Sequence, residues 1–89
     1  MVRHITIMVS GSVQGVFFRA TTKAKADELG VKGFVRNLPD GAVYIEAEGD
    51  HETLLEFQSW CKKGPPRAQV NGIDVTEGSL KFYANFSIQ

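Results

Sequence analysis

Eighty-nine residues, 43% of them hydrophobic, are enough for one domain with a single core and too few for two. Ten basic and ten acidic side chains give a formal net charge of zero, which argues against binding to nucleic acid or a membrane surface through bulk positive charge. The apolar runs fall far short of the roughly 20 residues that span a bilayer, and the start of the chain lacks the apolar stretch of a signal peptide. The single Cys61 can form no internal disulfide, which fits a reducing compartment. We therefore expect one cytoplasmic domain over residues 1–89.

Alternation and turn chemistry define the first half of the chain. They predict, in order, a strand over residues 5–10, a loop over 11–17, a helix over 18–29, a strand over 31–37 and a strand over 43–48. Gly30 is a suitable C-terminal stop for the helix. Pro39 fixes φ and Gly41 accepts a positive φ, so the last two strands are expected to form a hairpin.

The second half predicts another helix and two more strands. Asp50 is a good N-cap for a helix over residues 51–63, whose apolar stripe contains Leu54, Phe57 and Cys61. Lys63 suits the negative helix end, and the Gly-Pro-Pro that follows ends the helix. The remaining chain predicts strands over residues 70–76 and 81–88, joined through residues 77–79.

This order of elements predicts a fold class. The chain alternates as β-α-β-β-α-β with an extra C-terminal strand. Clean alternation in most strands indicates an antiparallel sheet with two helices on one face and water on the other. The expected architecture is a ferredoxin-like α+β sandwich, which hosts many unrelated functions, so the function must be argued from the site.

The connection over residues 11–17 is longer than a strand-to-helix passage requires. The later passage into the second helix takes only residues 49–50. Gly11 and Gly15 allow backbone angles that turn successive N–H groups toward one point, and the helix N-terminus that follows favours an anion. Arg19 would add paired donors that match two phosphate oxygens. These features predict a phosphate-sized anion site, whereas the simpler interpretation is an ordinary loop beside a solvated arginine.

Asn37 is the second candidate, because it ends its strand just before the Pro39-Asp40-Gly41 turn. An asparagine in such a place commonly hydrogen-bonds the local backbone. Alternatively, its neutral amide holds a water molecule through its carbonyl oxygen or its NH₂ group. The residues by themselves leave both interpretations open.

Two segments resemble the signatures of the acylphosphatase family. Residues 9–19, VSGSVQGVFFR, match the pattern V-x-G-x-V-Q-G-V-x-F-R, and residues 33–41, GFVRNLPDG, match G-[FYW]-V-x-N followed by D-G. Residues 64–70, GPPRAQV, are similar to the segment after the family's second helix. The resemblance covers almost the whole chain in length and element order.

The resemblance implies an enzyme that hydrolyses acyl phosphates, which are mixed carboxyl-phosphate anhydrides, to a carboxylate and inorganic phosphate. Carried over by position, Arg19 binds the phosphate and Asn37 positions the attacking water. Main-chain amides of the loop complete the phosphate site; they belong to Gln14, Gly15, Val16, Phe17 and Phe18. The family implies no metal and no cofactor. We expect a monomer, because no exposed apolar stripe requires a partner.

Hydrolysis of an acyl phosphate requires few catalytic side chains. A carboxylate is a good leaving group, and phosphoryl transfer through a loose transition state depends mainly on positioning and electrostatic stabilisation. A neutral Asn37 does not repel a phosphate dianion as an Asp would. With no obvious base nearby, we expect a phosphate oxygen of the substrate to accept the water proton.

Other residues and functions are less favoured. His4, His51 and Cys61 are too widely spaced for a zinc site and are not expected to be catalytic. A non-catalytic phosphate- or RNA-binding module on the same fold is the alternative, since residues 32–35 superficially resemble an RNP1 stretch. That stretch lacks the second aromatic, and the chain has no basic excess. Similar domains also occur inside carbamoyl-transferring maturation proteins, although the length of this chain favours an independent enzyme.

Overall fold

The computed structural model describes all residues, 1–89, as two helices and a five-stranded sheet. The elements are β1 (Val2–Ser12), α1 (Phe18–Leu29), β2 (Lys32–Asn37), β3 (Val43–Asp50), α2 (His51–Lys63), β4 (Gln69–Gly78) and β5 (Phe86–Ile88). The bounds of both helices agree with the sequence prediction. Neither helix has the length and apolarity that crossing a membrane requires.

The sheet has the order β4-β1-β3-β2-β5. Each pairing is antiparallel except that of β2 with β5, which is parallel. The ferredoxin-like α+β architecture is therefore confirmed, but the expectation of a purely antiparallel sheet is wrong. The reason is that the chain crosses the sheet after β4 and adds β5 at the opposite edge, where it runs in the same direction as β2.

The core lies between the sheet and the two helices. Alternate residues of the central strands, among them Ile7, Val35 and Ile45, are fully buried on one face. Phe18 of α1 and Phe57 of α2 pack into the same cluster. Val9 and Val13, on either side of the end of β1, belong to this cluster with Phe18, so the packing positions the loop between β1 and α1.

Residues 79–85, which we call the crossing segment, follow β4 and were predicted to belong largely to a strand over 81–88. Only Phe86–Ile88 is a strand. The main-chain N–H of Lys81 donates to Glu48 Oε2 at 2.6 Å, and that of Tyr83 donates to Glu48 Oε1 at 3.2 Å. Because a side-chain carboxylate takes these donors in place of a neighbouring strand, the segment does not extend the sheet.

A buried polar cluster fastens the crossing segment to the helix-free face. Glu46 and Glu48 are 7% and 4% exposed, and His4 is 3% exposed with its Nδ1 2.7 Å from Glu48 Oε2. The hydroxyls of Tyr83 and Tyr44 donate to the two oxygens of Glu46 at 2.5 and 2.7 Å. Buried carboxylates are tolerated only when they are hydrogen-bonded, and these are.

Gly33 in the second signature has a packing role. Its φ is +143°, and a Cβ on it would lie 1.8 Å from the main-chain oxygen of Glu46. No side chain fits there without moving backbone. The glycine therefore lets β2 approach β3 closely just before the strand reaches Asn37.

Acid should destabilise the fold through the buried carboxylates. Burial raises the pKa of Glu46 and Glu48, but hydrogen bonds from Tyr83 and Tyr44 to Glu46, and from the Lys81 amide and His4 to Glu48, outweigh it. Both pKa values are thus lowered below the ordinary 4.5. Stability from a lowered carboxyl pKa is complete above the unfolded-state pKa and is lost as pH falls through the folded one.

We therefore expect the free energy of unfolding, measured by urea titration of Trp60 fluorescence, to fall steadily as pH is taken below about 4.5. In the Glu46→Gln/Glu48→Gln double variant this decline should be shallower. Glu52→Gln, a change of the same type on the exposed start of α2, is the control and should keep the wild-type slope. An unchanged slope in the double variant would contradict this account of the cluster.

Candidate active site

The connection from β1 to α1 is shorter than predicted but still the longer of the two strand-to-helix passages. A bulge between Ser10 and Gly11 carries β1 on to Ser12, so the predicted loop over 11–17 is reduced to residues 13–17. By contrast, β3 ends at Asp50 and α2 begins at the next residue. We call residues 13–17 the anion loop.

The backbone of the anion loop leaves several of its amides without a main-chain acceptor. Gly15 has φ +74° and Phe17 has φ +64°, while Val16 between them does not have a positive φ. Left-handed residues in such a loop allow successive N–H groups to turn toward a common point. The amides from Gln14 to Phe17 make no main-chain hydrogen bond. These N–H groups are therefore free to donate to a ligand.

The left-handed Phe17 is unusual because bulky residues rarely adopt a positive φ. Its side chain is 68% exposed, so burial of the ring does not explain the conformation. Such strain of about 1–3 kcal/mol persists where the surrounding structure imposes it, and it clusters at functional sites. Here it completes the alternation begun at Gly15.

The anion loop leads directly into the uncapped N-terminus of α1. Phe17 is the N-cap and makes no side-chain capping bond, and the first turn contains no acidic residue. The first turn of α2, in contrast, carries Glu52. The positive end of the α1 dipole is therefore left without a negative partner from the chain.

Arg19 lies in this first turn. Its Nη1 donates to the main-chain oxygen of Gln89 at 3.2 Å, which holds the guanidinium beside the anion loop. The lysines of the same helix are neutralised, since Lys23 pairs with Asp27 and Lys25 with Glu28. Arg19 pairs with no Asp or Glu side chain, so its remaining donors are available to an anion.

Asn37 ends β2 on the other side of the same hollow. Its Oδ1 is buried and has no hydrogen-bond partner. The local turn does not use it, because Asp40 Oδ1 accepts the Ala42 amide at 3.0 Å and the main-chain oxygen of Ala42 accepts the Leu38 amide at 2.8 Å. The Oδ1 of Asn37 therefore takes no part in the hydrogen bonds of the local turn.

These elements enclose a cavity of about 300 Å³. Its lining residues are Val13, Gly15, Phe17, Phe18, Arg19, Ala20, Asn37 and Ile88. Arg19 and Asn37, which are 18 residues apart in the chain, thus share one cavity with the anion loop. A larger hollow of about 640 Å³ lies between α1 and α2, and none of the predicted site residues lines it.

Three predicted residues differ from the others, and two of them, Gln14 and Val16, do not line the cavity. The Gln14 side chain turns away to the β2–β3 hairpin, where its Nε2 donates to the main-chain oxygens of Leu38 and Ala42. Val16 packs against the core. The side chain of Phe18 is buried beside Trp60, at 5.7 Å between ring centroids. From these three residues only main-chain amides remain available to a ligand in the loop.

Strand β5 forms one side of the cavity, and the sequence did not predict this. Ile88 lines the cavity, and Gln89 beyond it accepts the Arg19 hydrogen bond. Neither residue belongs to a motif. The signal was weak because β5 reaches the cavity only by crossing the sheet.

The residues set aside as catalytic candidates lie elsewhere. Burial raises the pKa of the Cys61 thiol to about 12, so it remains protonated in the core. His4 belongs to the cluster under the crossing segment, and His51 opens α2 on the surface. No group of three or more His, Cys, Asp or Glu side chains is arranged to hold a metal ion.

Comparison with known proteins identifies strong similarity along the whole chain. The sequence model of the acylphosphatase family matches residues 5–88. An acylphosphatase from Archaeoglobus fulgidus is 50% identical over 84 residues, covering 94% of each chain. The crystal structure of an acylphosphatase from Bacillus subtilis has a TM-score of 0.95 at 41% identity, covering 100% of this chain and 99% of that one.

The same fold forms part of a larger protein. The crystal structure of full-length HypF, in a phosphate- and nucleotide-bound form, has a TM-score of 0.89 at 30% identity. The match covers 100% of this chain and 12% of HypF. Only a small part of that protein is therefore comparable.

Gly15→Ala tests whether the loop conformation itself requires glycine. No atom lies within 4 Å of a Cβ built on Gly15, so the expected cost, about 1–2 kcal/mol, comes from the left-handed backbone alone. The measurement is the free energy of unfolding in urea. Gly72→Ala is the matched control, because Gly72 is equally unobstructed but has an ordinary φ. It should be neutral or slightly stabilising, and equal costs for the two variants would contradict the prediction.

Proposed function

The chain belongs to the acylphosphatase family and hydrolyses acyl phosphates, and we propose that Arg19 and the amides of residues 14–18 bind the phosphoryl group while Asn37 orients the attacking water. The single observation that carries this assignment is the buried, unpartnered Oδ1 of Asn37 in the cavity that Arg19 also lines. A buried acceptor without a partner costs about 1–3 kcal/mol. A water molecule placed for attack would remove that cost.

The phosphoryl group fits the donors on the opposite side of the cavity. Its oxygens require several N–H groups, which the free amides of the anion loop and the open end of α1 supply. Arg19 adds a planar fork that matches two phosphate oxygens. Donors that are positioned before the substrate arrives stabilise developing charge without having to reorganise during the reaction.

The water needs no protein base in this scheme. No Asp, Glu or His lines the cavity. The water oxygen attacks phosphorus, the bond from phosphorus to the acyl oxygen breaks, and the carboxylate leaves with the bonding electrons. The water proton passes to a non-bridging phosphoryl oxygen, so the products are a carboxylate and protonated inorganic phosphate. Asn37 positions the water, and its neutrality avoids repulsion of the phosphoryl oxygens.

The RNA-binding alternative is not supported by the helix-free face of the sheet. Phe34, the aromatic residue of the RNP1-like stretch, is only 8% exposed. The Tyr83 ring packs edge-on against it at 5.9 Å between centroids, and Tyr44 lies 5.9 Å away on another side. A ring covered in this way has no free surface on which a base can stack. We therefore propose a small-molecule substrate with no nucleic-acid partner.

A cytoplasmic monomer accords with the same features. Cys61 is a free, fully buried thiol, as is usual in a reducing compartment. Arg19 and Asn37 line one cavity within a single chain, so the proposed site can form in a monomer. Light scattering during size-exclusion chromatography would test the monomer.

The first test compares benzoyl phosphate hydrolysis by the wild type, Arg19→Ala and Asn37→Ala in the presence of EDTA. We expect turnover by the wild type to survive chelation and to fall by about 10²–10³-fold or more in each variant, as happens when a positioned electrostatic group is removed. Arg67→Ala and Asn71→Ala remove the same residue types from exposed positions outside the cavity and serve as controls. Full activity in either site variant would exclude that residue. Carbamoyl phosphate, assayed in parallel, would show whether the acyl group matters.

The second test separates water positioning from base catalysis at position 37. If Asn37 only orients water, Asn37→Asp should lower kcat as much as Asn37→Ala, because the new charge repels the phosphoryl group. A substantially active Asp variant would show that a base is tolerated and useful there. Arg19→Lys keeps the charge but loses the fork, so it should retain weak phosphate inhibition with little turnover.

A further inference from the structure

The Gln14 side chain joins the two halves of the proposed site. Its Nε2 donates one hydrogen bond to the main-chain oxygen of Leu38 at 2.8 Å and one to that of Ala42 at 2.9 Å. Leu38 directly follows Asn37, and Ala42 precedes Val43, whose Cα is paired with that of Asn37. Both amide hydrogens of a residue in the anion loop are therefore used on the hairpin that carries Asn37.

No strand pairing joins β1 directly to β2. In the sheet, β3 separates β1 from β2, and strands are about 4.8 Å apart. The end of β1 that leads into the anion loop is therefore roughly 10 Å from the end of β2 that carries Asn37. The Gln14 side chain spans this gap over the start of β3. Since the amide is part-buried and uses both N–H groups, rotation of the side chain would break both hydrogen bonds to the hairpin.

We propose that Gln14 is a positioning residue, whose side chain sets the distance between the phosphoryl group in the anion loop and the water on Asn37. The inference rests on the roles proposed above for Arg19 and Asn37. It differs from a ligand role, because the Gln14 side chain faces the hairpin and does not line the cavity. Attack in line with the leaving group is sensitive to placement, and an error of about 1 Å lowers the rate about 10²-fold.

Because phosphate binding and water positioning depend on different residues, loss of the Gln14 hydrogen bonds should have a characteristic effect on the kinetics. Loss of the tether leaves the donors of the anion loop and Arg19 in place, so the phosphoryl group still binds. The water on Asn37 is no longer held in line. Turnover should therefore fall while affinity for phosphate stays nearly constant, whereas the loss of a phosphate ligand would weaken both.

The test is Gln14→Met, which keeps the length of the side chain and removes both donors. For benzoyl phosphate we expect kcat to fall about 10–100-fold, with KM and the inhibition constant of inorganic phosphate within about threefold of the wild type. Gln58→Met, the same change on α2 away from the cavity, is the matched control and should keep wild-type kcat. All variants are assayed below their melting temperatures as followed by circular dichroism.

Two results would overturn the inference. A kcat within about twofold of the wild type would show that the tether is not needed. Phosphate inhibition that weakens in step with kcat would show that Gln14 acts as part of the phosphate site. If Gln14→Met does not fold, Gln14→Ala removes the same donors with less bulk. Hydrogen exchange of the Gln14 side-chain amide in the wild type is an independent check, and rapid exchange would contradict the two hydrogen bonds.

Asn37→Ala is measured in the same experiment. It distinguishes a failure of the role proposed for Asn37 from a failure of the role proposed for Gln14. If it retains turnover, the assignment of Asn37 fails and the tether has nothing to position. If it loses turnover while Gln14→Met does not, only the positioning role of Gln14 fails.

Discussion

Glu48 accepts hydrogen bonds from the main-chain amides of Lys81 and Tyr83, and this contact determines where the chain runs after β4. The carboxylate replaces the neighbouring strand that the crossing segment lacks. The segment can then pass over the helix-free face and deliver β5 to the far edge of the sheet, parallel to β2. One wall of the cavity, Ile88, and the acceptor of Arg19, Gln89, depend on that path. A buried acid at one end of β3 thus supports a cavity at the opposite end.

The cavity itself is made largely from backbone. The anion loop offers a ligand its main-chain amides, and residues 15 and 17 of this loop are left-handed. The only charged side chain in the lining is Arg19. This composition suits phosphoryl transfer with a good leaving group, which requires fixed donors and a positioned water more than acid–base chemistry.

Much of this arrangement could be predicted from the sequence. The two helices and the hairpin between them follow from alternation and from Pro39 and Gly41, because these are local signals. The association of Arg19 with Asn37 came from the family resemblance. The last strand was mispredicted, since its donors are taken by Glu48, 33 residues or more away. The positive φ of Phe17 and the Gln14 tether carry no local signal either, and the partners of the tether lie 24 and 28 residues further along the chain.

The order of strands also bears on how fast the chain reaches its native state. Only β2 and β3 form a hairpin between consecutive strands; β1 pairs with β4, so that Met8 lies opposite Asp74, and β2 pairs with β5. Closing such long loops costs conformational entropy before the strand contacts can stabilise the chain. Folding rates fall as the sequence separation of contacts grows. A chain of this topology should therefore fold more slowly than a helical protein of the same length.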